Sequence, residues 1–205
     1  MKFWDVFYMD HLDSESDLQS RMYLVAIYIE KAFKNLDKNI NIINICSGRG
    51  FDVYQAEIDY DRISNIYLID NDKKNLKIAK HYFNRKEKTN IRYLKKDARK
   101  SNSFIDLPKQ DIIICAGFLG AIKNNPEIFI KFLKQIINYN GYVVWTLKTD
   151  DTESIKIMNN IFMENDFITL SCDYTDRGRF TCFLTKFIGE PESLIRDVKL
   201  MDLDF

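Results

Sequence analysis

The stretch from Asn41 to Asp52 constrains the fold of this chain more than any other. It reads Asn-Ile-Ile-Asn-Ile-Cys-Ser-Gly-Arg-Gly-Phe-Asp, so that an apolar, β-branched run leads into Gly48 and Gly50. This pattern predicts a strand, a tight turn and the start of a helix, because glycine lets the backbone bend and lets a ligand approach it closely. The free N–H groups at a helix start suit polar or anionic ligand atoms. Ordinary strand-to-helix connections use the same turn, so its meaning depends on the residues at the ends of the later strands.

Apolar β-branched segments alternate with segments of helical periodicity along the rest of the chain, which predicts a mostly parallel sheet covered on both faces. A final pair of strands around Gly178 has the signature of a hairpin and adds an antiparallel edge. The fold class is therefore α/β, a Rossmann-like three-layer sandwich with a seven-stranded, mostly parallel sheet. We predict strands at 40–46, 64–70, 91–94, 111–116, 141–146, 167–174 and 179–187, and helices at 52–59, 73–84, 126–138 and 154–165. The Asn140-Gly141 pair is interpreted as the turn that opens the fifth strand.

We expect one domain, residues 1–205, in which a central core is preceded and followed by regions of different composition. Residues 1–38 form an N-terminal helical cap: an aromatic segment, a helix-start signal at Ser14 and a helix from Asp17 to Leu36. Residues 39–188 are the Rossmann-like core, and residues 189–205 are an apolar and acidic C-terminal tail. Such a tail most often folds back onto its own domain, with an oligomer contact as the alternative.

Composition and charge exclude several classes of function. Formal net charge is zero, so nothing global favours nucleic acid or an acidic membrane, and no apolar run has the length of a transmembrane helix. Four cysteines lie far apart in apolar runs, and two histidines make no cluster, so we expect buried reduced thiols, no metal site and a cytoplasmic location.

Four strand ends carry small or polar residues suited to a ligand site. In open α/β sheets, ligands bind beyond the carboxyl ends of the strands, near the point where strand order reverses. Gly48 and Gly50 follow the first strand, and Asp70 ends the second at the spacing of an acid that accepts ribose hydroxyls. Asp97-Ala98 follows the third strand and Ala116-Gly117 the fourth. Each has a structural alternative as a helix cap or turn residue, but together, in this order, they favour one site.

With these motifs in place, residues 40–188 resemble the class I S-adenosylmethionine-dependent methyltransferases. The family's acid-then-glycine motif corresponds to 44–50, its second motif to Ile69-Asp70-Asn71-Asp72, and its third to Lys96-Asp97-Ala98. An antiparallel last strand is also typical of that fold. A poorly characterised group of predicted methyltransferases shares the segment Ala116-Gly117-Phe118-Leu119 and the strand Gly141-Tyr142-Val143-Val144-Trp145-Thr146.

The resemblance implies S-adenosylmethionine as cofactor and a role for each matching residue. The glycine turn would pass under the methionine portion, Asp70 would hold the ribose hydroxyls, and Asp97 with the Ala98 N–H would recognise the adenine edge. A backbone carbonyl of Ala116 or Gly117 would lie near the methionine amino group. The cofactor-binding residues implied are Asn44, Cys46, Ser47, Gly48, Gly50, Asp70, Asn71, Asp97, Ala98, Ala116 and Gly117.

Two residues depart from the family pattern. Asn44 replaces the usual acid and brings no negative charge, which weakens the attraction for a cationic cofactor. Cys46 replaces the first glycine of the motif and fits the turn only if its φ is negative.

The resemblance implies an enzyme that transfers a methyl group to an acceptor the sequence does not identify. Methyl transfer from an activated sulfonium needs mainly positioning and exclusion of water, and no catalytic base is assigned. The signatures of amino-methylating and cytosine-methylating DNA enzymes are absent after the fourth strand. We expect a small-molecule acceptor, no membrane partner, and an acceptor site near residues 117–125 and the aromatic residues Trp4, Tyr8 and Tyr23.

Four alternatives remain open on the sequence. A nicotinamide-dependent oxidoreductase would need a third glycine where Val53 stands. A non-catalytic binding or scaffold module is motivated by Asn44 and Cys46; it would bind a partner protein through the tail, whereas an enzyme should keep cofactor binding without residues 190–205. A transferase that moves an aminopropyl-type group from the same cofactor is the third. RNA becomes a candidate acceptor if the basic pairs at 73–74, 85–86, 95–96 and 99–100 converge on one face.

Overall fold

The fold was analysed in a computed structural model, which describes residues 13, 15–37, 39–86, 90–122, 126–150 and 152–203. The helices are α1 (Asp17–Lys34), α2 (Phe51–Gln55), α3 (Lys73–Arg85), α4 (Pro126–Ile136) and α5 (Thr152–Glu164). The strands are β1 (Ile40–Ile45), β2 (Ile63–Asp70), β3 (Ile91–Lys95), β4 (Gln110–Cys115), β5 (Ile137–Lys148), β6 (Phe167–Tyr174) and β7 (Phe180–Phe187). Short 3₁₀ turns lie at Tyr60–Arg62, Ser101–Phe104 and Leu119–Ala121.

The seven strands form one sheet in the order β3-β2-β1-β4-β5-β7-β6. The first five strands pair in parallel, and β7 pairs antiparallel with both β5 and β6. The predicted α/β class, seven-stranded sheet and antiparallel C-terminal hairpin are confirmed. Strand order reverses between β1 and β4, so the crevice at their carboxyl ends is the expected place for a ligand.

Each face of the sheet has its own hydrophobic core, because alternate residues of a strand point to opposite faces. On one face, Ile40, Ile42 and Ile114 pack with the apolar sides of α1, α2 and α3. On the other face, Ile43, Ile45 and Trp145 pack with α4 and α5. The Trp145 ring is stacked between those of Phe162 and Phe183, with centroid distances of 4.8 and 3.9 Å.

Helix α1 is fastened to the β6–β7 hairpin by Asp17, which is 4% exposed. Its carboxylate accepts hydrogen bonds from the Thr175 hydroxyl at 2.7 Å and from the backbone N–H groups of Arg177 and Arg179 at 3.0 and 2.8 Å. Three turns further along α1, the Tyr28 hydroxyl donates to Asp173 at 2.6 Å. This Asp17 clamp fixes the helix across β7 and β5, beside the carboxyl end of the sheet.

Several predicted boundaries are corrected by the structure. Residues 137–141 belong to β5, so α4 ends at Ile136, and Asn140-Gly141 lies within the strand where the pairing with β4 shifts register. Helix α2 ends at Gln55 rather than Asp59, and β1 ends at Ile45 rather than Cys46. Helix α1 ends at Lys34 and is capped by Ser16, which accepts from the Leu18 N–H; the predicted signal at Ser14 lies outside the described residues.

The expectation of four buried thiols is only half right. All four cysteines are free, but only Cys115 and Cys182 are buried. Cys172 is exposed because β6 is an edge strand whose side chains, apart from Phe167, are exposed or half-buried. Cys46 is half-buried because it lies in the turn after β1.

The C-terminal tail folds back over the carboxyl end of the sheet. Residues 198–200 pair antiparallel with residues 99–101: Ser101 N–H donates to the Val198 carbonyl at 3.0 Å, and Leu200 N–H to the Arg99 carbonyl at 2.8 Å. Further along, Leu203 forms a bridge with Ile122. The tail therefore spans from the connection after β3 to the connection after β4.

Candidate functional site

The turn after β1 has an alternating backbone that opens the carboxyl end of the strand. Residues Cys46, Gly48 and Gly50 have φ values of 54°, 55° and 67°. The expectation of a negative φ at Cys46 is wrong: the cysteine takes the left-handed conformation that the glycine of the motif usually supplies. That conformation costs a non-glycine residue on the order of 1–2 kcal/mol.

Close packing behind the turn explains the last glycine. A Cβ on Gly50 would lie 2.9 Å from Leu68 Cδ1 and 3.4 Å from Phe83 Cε2. The Ser47 N–H donates to the Ile69 carbonyl at 2.8 Å, and Gly50 N–H donates to the Ser47 carbonyl at the same distance. The turn is thereby held against the end of β2.

Asp70 lies directly against this turn. One carboxylate oxygen accepts from the Gly48 N–H at 2.8 Å, and the other accepts from the Asp72 N–H at 2.8 Å. Burial raises the pKa of Asp70, while these hydrogen bonds favour the ionised form. A carboxylate has about four acceptor positions, so Asp70 keeps capacity for further donors. Asn71 follows it and is exposed.

Asp97 lies beyond the end of β3 and is engaged by its own neighbour. Both carboxylate oxygens accept from the Arg99 guanidinium, at 2.9 Å each, and this pairing holds the pKa of Asp97 below its ordinary value. Ala98 between them is buried and belongs to the same hydrophobic cluster as Phe104 and the tail residues Leu200 and Met201. The tail thus contributes apolar walls beside the third motif.

The charges of both Asp70 and Asp97 affect the pKa of the Cys46 thiol. Burial, together with the negative charges of Asp70 and Asp97, raises the pKa of the Cys46 thiol to about 12. The thiol is therefore protonated at neutral pH. The Lys96 N–H donates to the Asp70 carbonyl at 3.3 Å, which brings the third motif beside the second.

At the end of β4, Gly117 has a φ of 84° and is exposed. Its N–H donates to the Thr146 hydroxyl at 2.9 Å. The Arg21 guanidinium of α1 lies on its open side: a Cβ at position 117 would be 3.0 Å from Arg21 Nη1. Half-buried Ala116 packs against the core on the same side as α1.

Sequence reasoning missed two charged residues at this edge, Arg21 and Asp52. Arg21 is 5% exposed, and its guanidinium carbon lies 5.1 Å from the centroid of the Phe180 ring. Asp52 is in the first turn of α2; burial raises its pKa, and the charge of Arg21 and the amide of Asn44 act in the opposite direction. No linear pattern joins these residues, because α1 reaches the site only through its docking on the final hairpin.

The Ser47 Oγ atom at the turn is buried and makes no hydrogen bond with the described residues; Ser47 is 7% exposed. Leaving a buried donor unsatisfied costs about 1–3 kcal/mol. Such an atom at the carboxyl end of β1 is appropriate for a site that a polar ligand completes.

A small apolar cavity of about 70 Å³ lies beyond the end of β4. It is lined mainly by apolar side chains: Leu119, Ile122, Leu147, Ile157 and Met158, with Ser154 as the polar member. Its position overlaps the segment 117–125 predicted to contact an acceptor, of which residues 123–125 lie outside the described residues. Of the three aromatic residues predicted there, Tyr23 is 45% exposed on α1, and Trp4 and Tyr8 also lie outside them.

Among the described residues, no helix combines the length and apolar character needed to cross a bilayer.

No protein-family model matches this sequence, and no curated protein matches it. Solved structures do match. A crystal structure of the CurJ carbon methyltransferase has a TM-score of 0.72 at 15% identity, covering 90% of this chain and 58% of that protein. Precorrin-6y C5,15-methyltransferase from Geobacter metallireducens has a TM-score of 0.60 at 13% identity, covering 82% and 88%. A SAM-dependent methyltransferase from Aquifex aeolicus has a TM-score of 0.59 at 16% identity, covering 80% and 89%.

Proposed function

We propose that this chain, which has the fold of the class I S-adenosylmethionine-dependent methyltransferases, binds S-adenosylmethionine and transfers its methyl group to a small acceptor. The observation that carries the proposal is the meeting of the turn and Asp70 at the point where strand order reverses, joined by the hydrogen bond from Gly48 N–H to the Asp70 carboxylate. That arrangement matches the general rule for ligand placement in open α/β sheets.

The residues present fit this cofactor in shape and in polarity. The left-handed backbone at Gly48 and Gly50 leaves room for close approach to the turn, and the Ser47 hydroxyl is a buried polar group without a described partner. Asp70 would accept the ribose hydroxyls with its remaining acceptor positions. Asp97 and the Ala98 N–H would recognise the adenine edge, with Asp97 already oriented by Arg99.

When bound, the cofactor supplies an activated methyl group on a sulfonium. The protein would then hold the donor in line with the acceptor and exclude water, which needs no protein base unless the acceptor must lose a proton. The high pKa of Cys46 keeps its thiol protonated beside the site, so it would not compete as a nucleophile. No residue is assigned as catalytic.

A small acceptor is favoured by the volume available beyond β4. The cavity of about 70 Å³ next to Leu119 and Ile122 is apolar and too small for a polymer segment. An acceptor with an apolar portion would insert that portion here.

Calorimetric titration with S-adenosylhomocysteine tests the proposal directly. We expect saturable binding to the unmodified protein and at least tenfold weaker binding to Asp70→Asn, because the substitution replaces one ribose-binding carboxylate oxygen by an amide. Asp106→Asn is the matched control, since Asp106 is exposed on the connection toward the amino end of β4. Absence of saturable binding at millimolar ligand to the folded protein would contradict the assignment.

A non-catalytic binding module is the second candidate, favoured by the neutral Asn44 and the left-handed Cys46. It differs from the enzyme in turnover: a binding module would take up the cofactor weakly or not at all and form no methylated product. Incubation with a radiolabelled methyl donor and cell extract, followed by product mass, separates the two and also detects aminopropyl transfer.

RNA as acceptor has one structural argument. Three of the four basic pairs lie at or after the carboxyl ends of β2 and β3, and parallel strands end at the same edge: Lys73, Lys74, Lys95, Lys96, Arg99 and Lys100. The fourth pair, at 85–86, lies at the end of α3, which leads to the amino end of β3. Asp70, Asp72 and Asp97 are interspersed with them, which limits the local positive charge. A salt-dependent gel shift with bulk transfer RNA tests this acceptor, and no shift at low salt would exclude it.

A further inference from the structure

The end of β1 lacks the negative charge expected beside a cationic ligand. Asn44 stands where the related fold carries an acid, and it is 1% exposed. An amide cannot balance an ammonium group in a low-dielectric crevice. A ligand with an α-amino group therefore needs its counter-charge from somewhere else in the chain.

Asp52 lies close enough to supply that charge. The turn at 46–50 reverses the chain, so the first turn of α2 comes back beside β1. Burial raises the pKa of the Asp52 carboxyl, and a hydrogen bond with the Asn44 side chain acts in the opposite direction. Asp52 is half-buried, and its neighbours in the sequence, Phe51 and Val53, are buried core residues. The backbone that carries the Asp52 carboxylate is thus held by core packing of its neighbours.

Arg21 adds the opposite charge from a different element. Its guanidinium is buried, lies against the exposed backbone of Gly117, and approaches the Phe180 ring. Helices α1 and α2 contact one another, and the charge of Arg21 partly offsets the rise that burial causes in the pKa of Asp52. A guanidinium presents a planar fork of donors that matches a carboxylate in two-point geometry.

We infer that Asp52 and Arg21 together form a subsite for a zwitterionic α-amino-acid group, with Asp52 binding the ammonium and Arg21 the carboxylate. In the proposed function, on which this inference rests, that group is the methionyl end of the cofactor. The acid that the related fold places on β1 is relocated by eight residues to α2. The carboxylate partner comes from α1, which places the helix in the cofactor site.

The pairing of charges explains why a zwitterion suits this subsite better than a simple ion. A lone anion near Arg21 would be repelled by Asp52, and a lone cation near Asp52 would be repelled by Arg21. A ligand that carries both charges on one carbon satisfies both groups at once. The subsite would therefore discriminate between adenosyl compounds that do and do not carry an amino-acid end.

The test compares two thioethers by calorimetry: S-adenosylhomocysteine, which carries the amino-acid end, and 5′-methylthioadenosine, which does not. We expect the unmodified protein to bind the first at least tenfold more tightly. Asp52→Asn should remove most of that preference while leaving the affinity for 5′-methylthioadenosine unchanged. Arg21→Gln should do the same through loss of the carboxylate contact.

The double variant Asn44→Asp/Asp52→Asn distinguishes a binding role of Asp52 from a structural one. It returns the acid to β1, so it should restore at least half of the lost preference, which a merely structural role of Asp52 would not do. Retained binding of 5′-methylthioadenosine shows that each variant is folded. An unchanged preference in Asp52→Asn, with both ligands bound, would overturn the inference and leave the proposed function standing; failure of both ligands to bind the unmodified protein would overturn both.

Discussion

At the residue scale, the contact between Gly117 and Arg21 shows how a single missing Cβ organises the site. The guanidinium occupies the space that a side chain at position 117 would need, and the φ of 84° disfavours any L-residue there. The glycine is therefore required both for the turn after β4 and for the placement of a charge from α1.

Substitution Gly117→Ala should weaken both the fold and the site. We expect a loss of about 1–2 kcal/mol in the free energy of unfolding from the left-handed backbone. S-adenosylhomocysteine should also bind less tightly because Arg21 is displaced. Urea denaturation and calorimetry measure the two effects. Gly120→Ala, three residues further on, is the control: Gly120 has no positive φ, and its nearest contact would be Leu147 Cδ2 at 3.4 Å. Equal behaviour of the two variants would refute this account.

The role of a residue could be predicted only where its spacing from other residues in the sequence indicates a shared site. Asp70 and the glycine turn could be paired from their spacing, and the structure joins them by a hydrogen bond. The φ of Cys46 could not be deduced, because the surrounding packing rather than the residue's own preference decides it. Arg21 and Asp52 carried no signal, since 30 residues separate them and only tertiary structure brings α1 beside α2.

At the scale of elements, the docking of α1 on the last hairpin is the connection that the rest of the site depends on. Asp17 accepts three hydrogen bonds from Thr175, Arg177 and Arg179 although burial alone would raise its pKa. The hydrogen bonds outweigh burial, so the pKa of Asp17 is lowered below 3.8.

Substitution Asp17→Ala should cost about 1–3 kcal/mol, because it leaves three buried or half-buried donors without an acceptor. The sign of the pH dependence follows from the lowered pKa: the contribution is complete above 3.8 and is lost as the pH falls through the folded-state pKa. Urea titrations from about pH 7 to about pH 3 should therefore show the gap between the unmodified protein and the variant closing on acidification. A gap that is constant with pH would argue that Asp17 acts by packing alone.

The C-terminal tail is a second element on which the candidate site depends. Leu200 and Met201 are 2% and 3% exposed and share a cluster with Ala98. Met201→Ala should lower the free energy of unfolding by about 2–5 kcal/mol and weaken adenosyl ligands, since the apolar wall beside Ala98 becomes a cavity. Ile195→Ala, at a residue that is 57% exposed, is the control in the same tail. Unchanged stability in Met201→Ala would show that the tail does not complete the core.

This position of the tail changes how a truncation should be interpreted. The sequence alone suggested that an enzyme would keep its cofactor without residues 190–205. Because residues 198–200 pair with 99–101 next to the third motif, such a deletion is expected to disturb the adenine side of the site as well. Loss of binding on truncation therefore does not separate an enzyme from a scaffold.

The elements themselves were predictable from periodicity, and the errors fall where tertiary pairing overrides local signals. Asn140-Gly141 has the sequence of a turn, but pairing with β4 extends β5 back to Ile137. The helix predicted to Asp59 ends at Gln55, where Ala56 takes an extended conformation and begins the return to β2.

At the scale of the whole molecule, the strand order β3-β2-β1-β4-β5-β7-β6 gathers the ends of four strands around one crevice. The alternation of strands and helices predicted a parallel sheet with an antiparallel hairpin, because crossovers through helices leave few other arrangements. The sequence did not specify where α1 lies, since a helix with one apolar stripe can cover either face.

A ligand bound at this crevice contacts segments from across the chain and should stabilise the fold as a whole. At a concentration of about 100 times its Kd, S-adenosylhomocysteine is expected to add about 2.7 kcal/mol, which corresponds to a rise in Tm of roughly 5–10 °C for a chain of this length. Differential scanning calorimetry measures the shift. Reduced nicotinamide dinucleotide is the control, and a rise in Tm with that compound alone would favour the oxidoreductase instead.

The Asp17 clamp also dictates an order of events during synthesis. The acceptor on α1 leaves the ribosome early, but its three donors lie about 160 residues further on, so the helix has no anchor until the hairpin has been made. Arg21 lies on the same helix, so it is also not anchored until the hairpin has formed. A nascent chain that stops before the hairpin therefore cannot hold Arg21 in place beside Gly117, and ligand recognition should begin only once the β6–β7 hairpin has emerged.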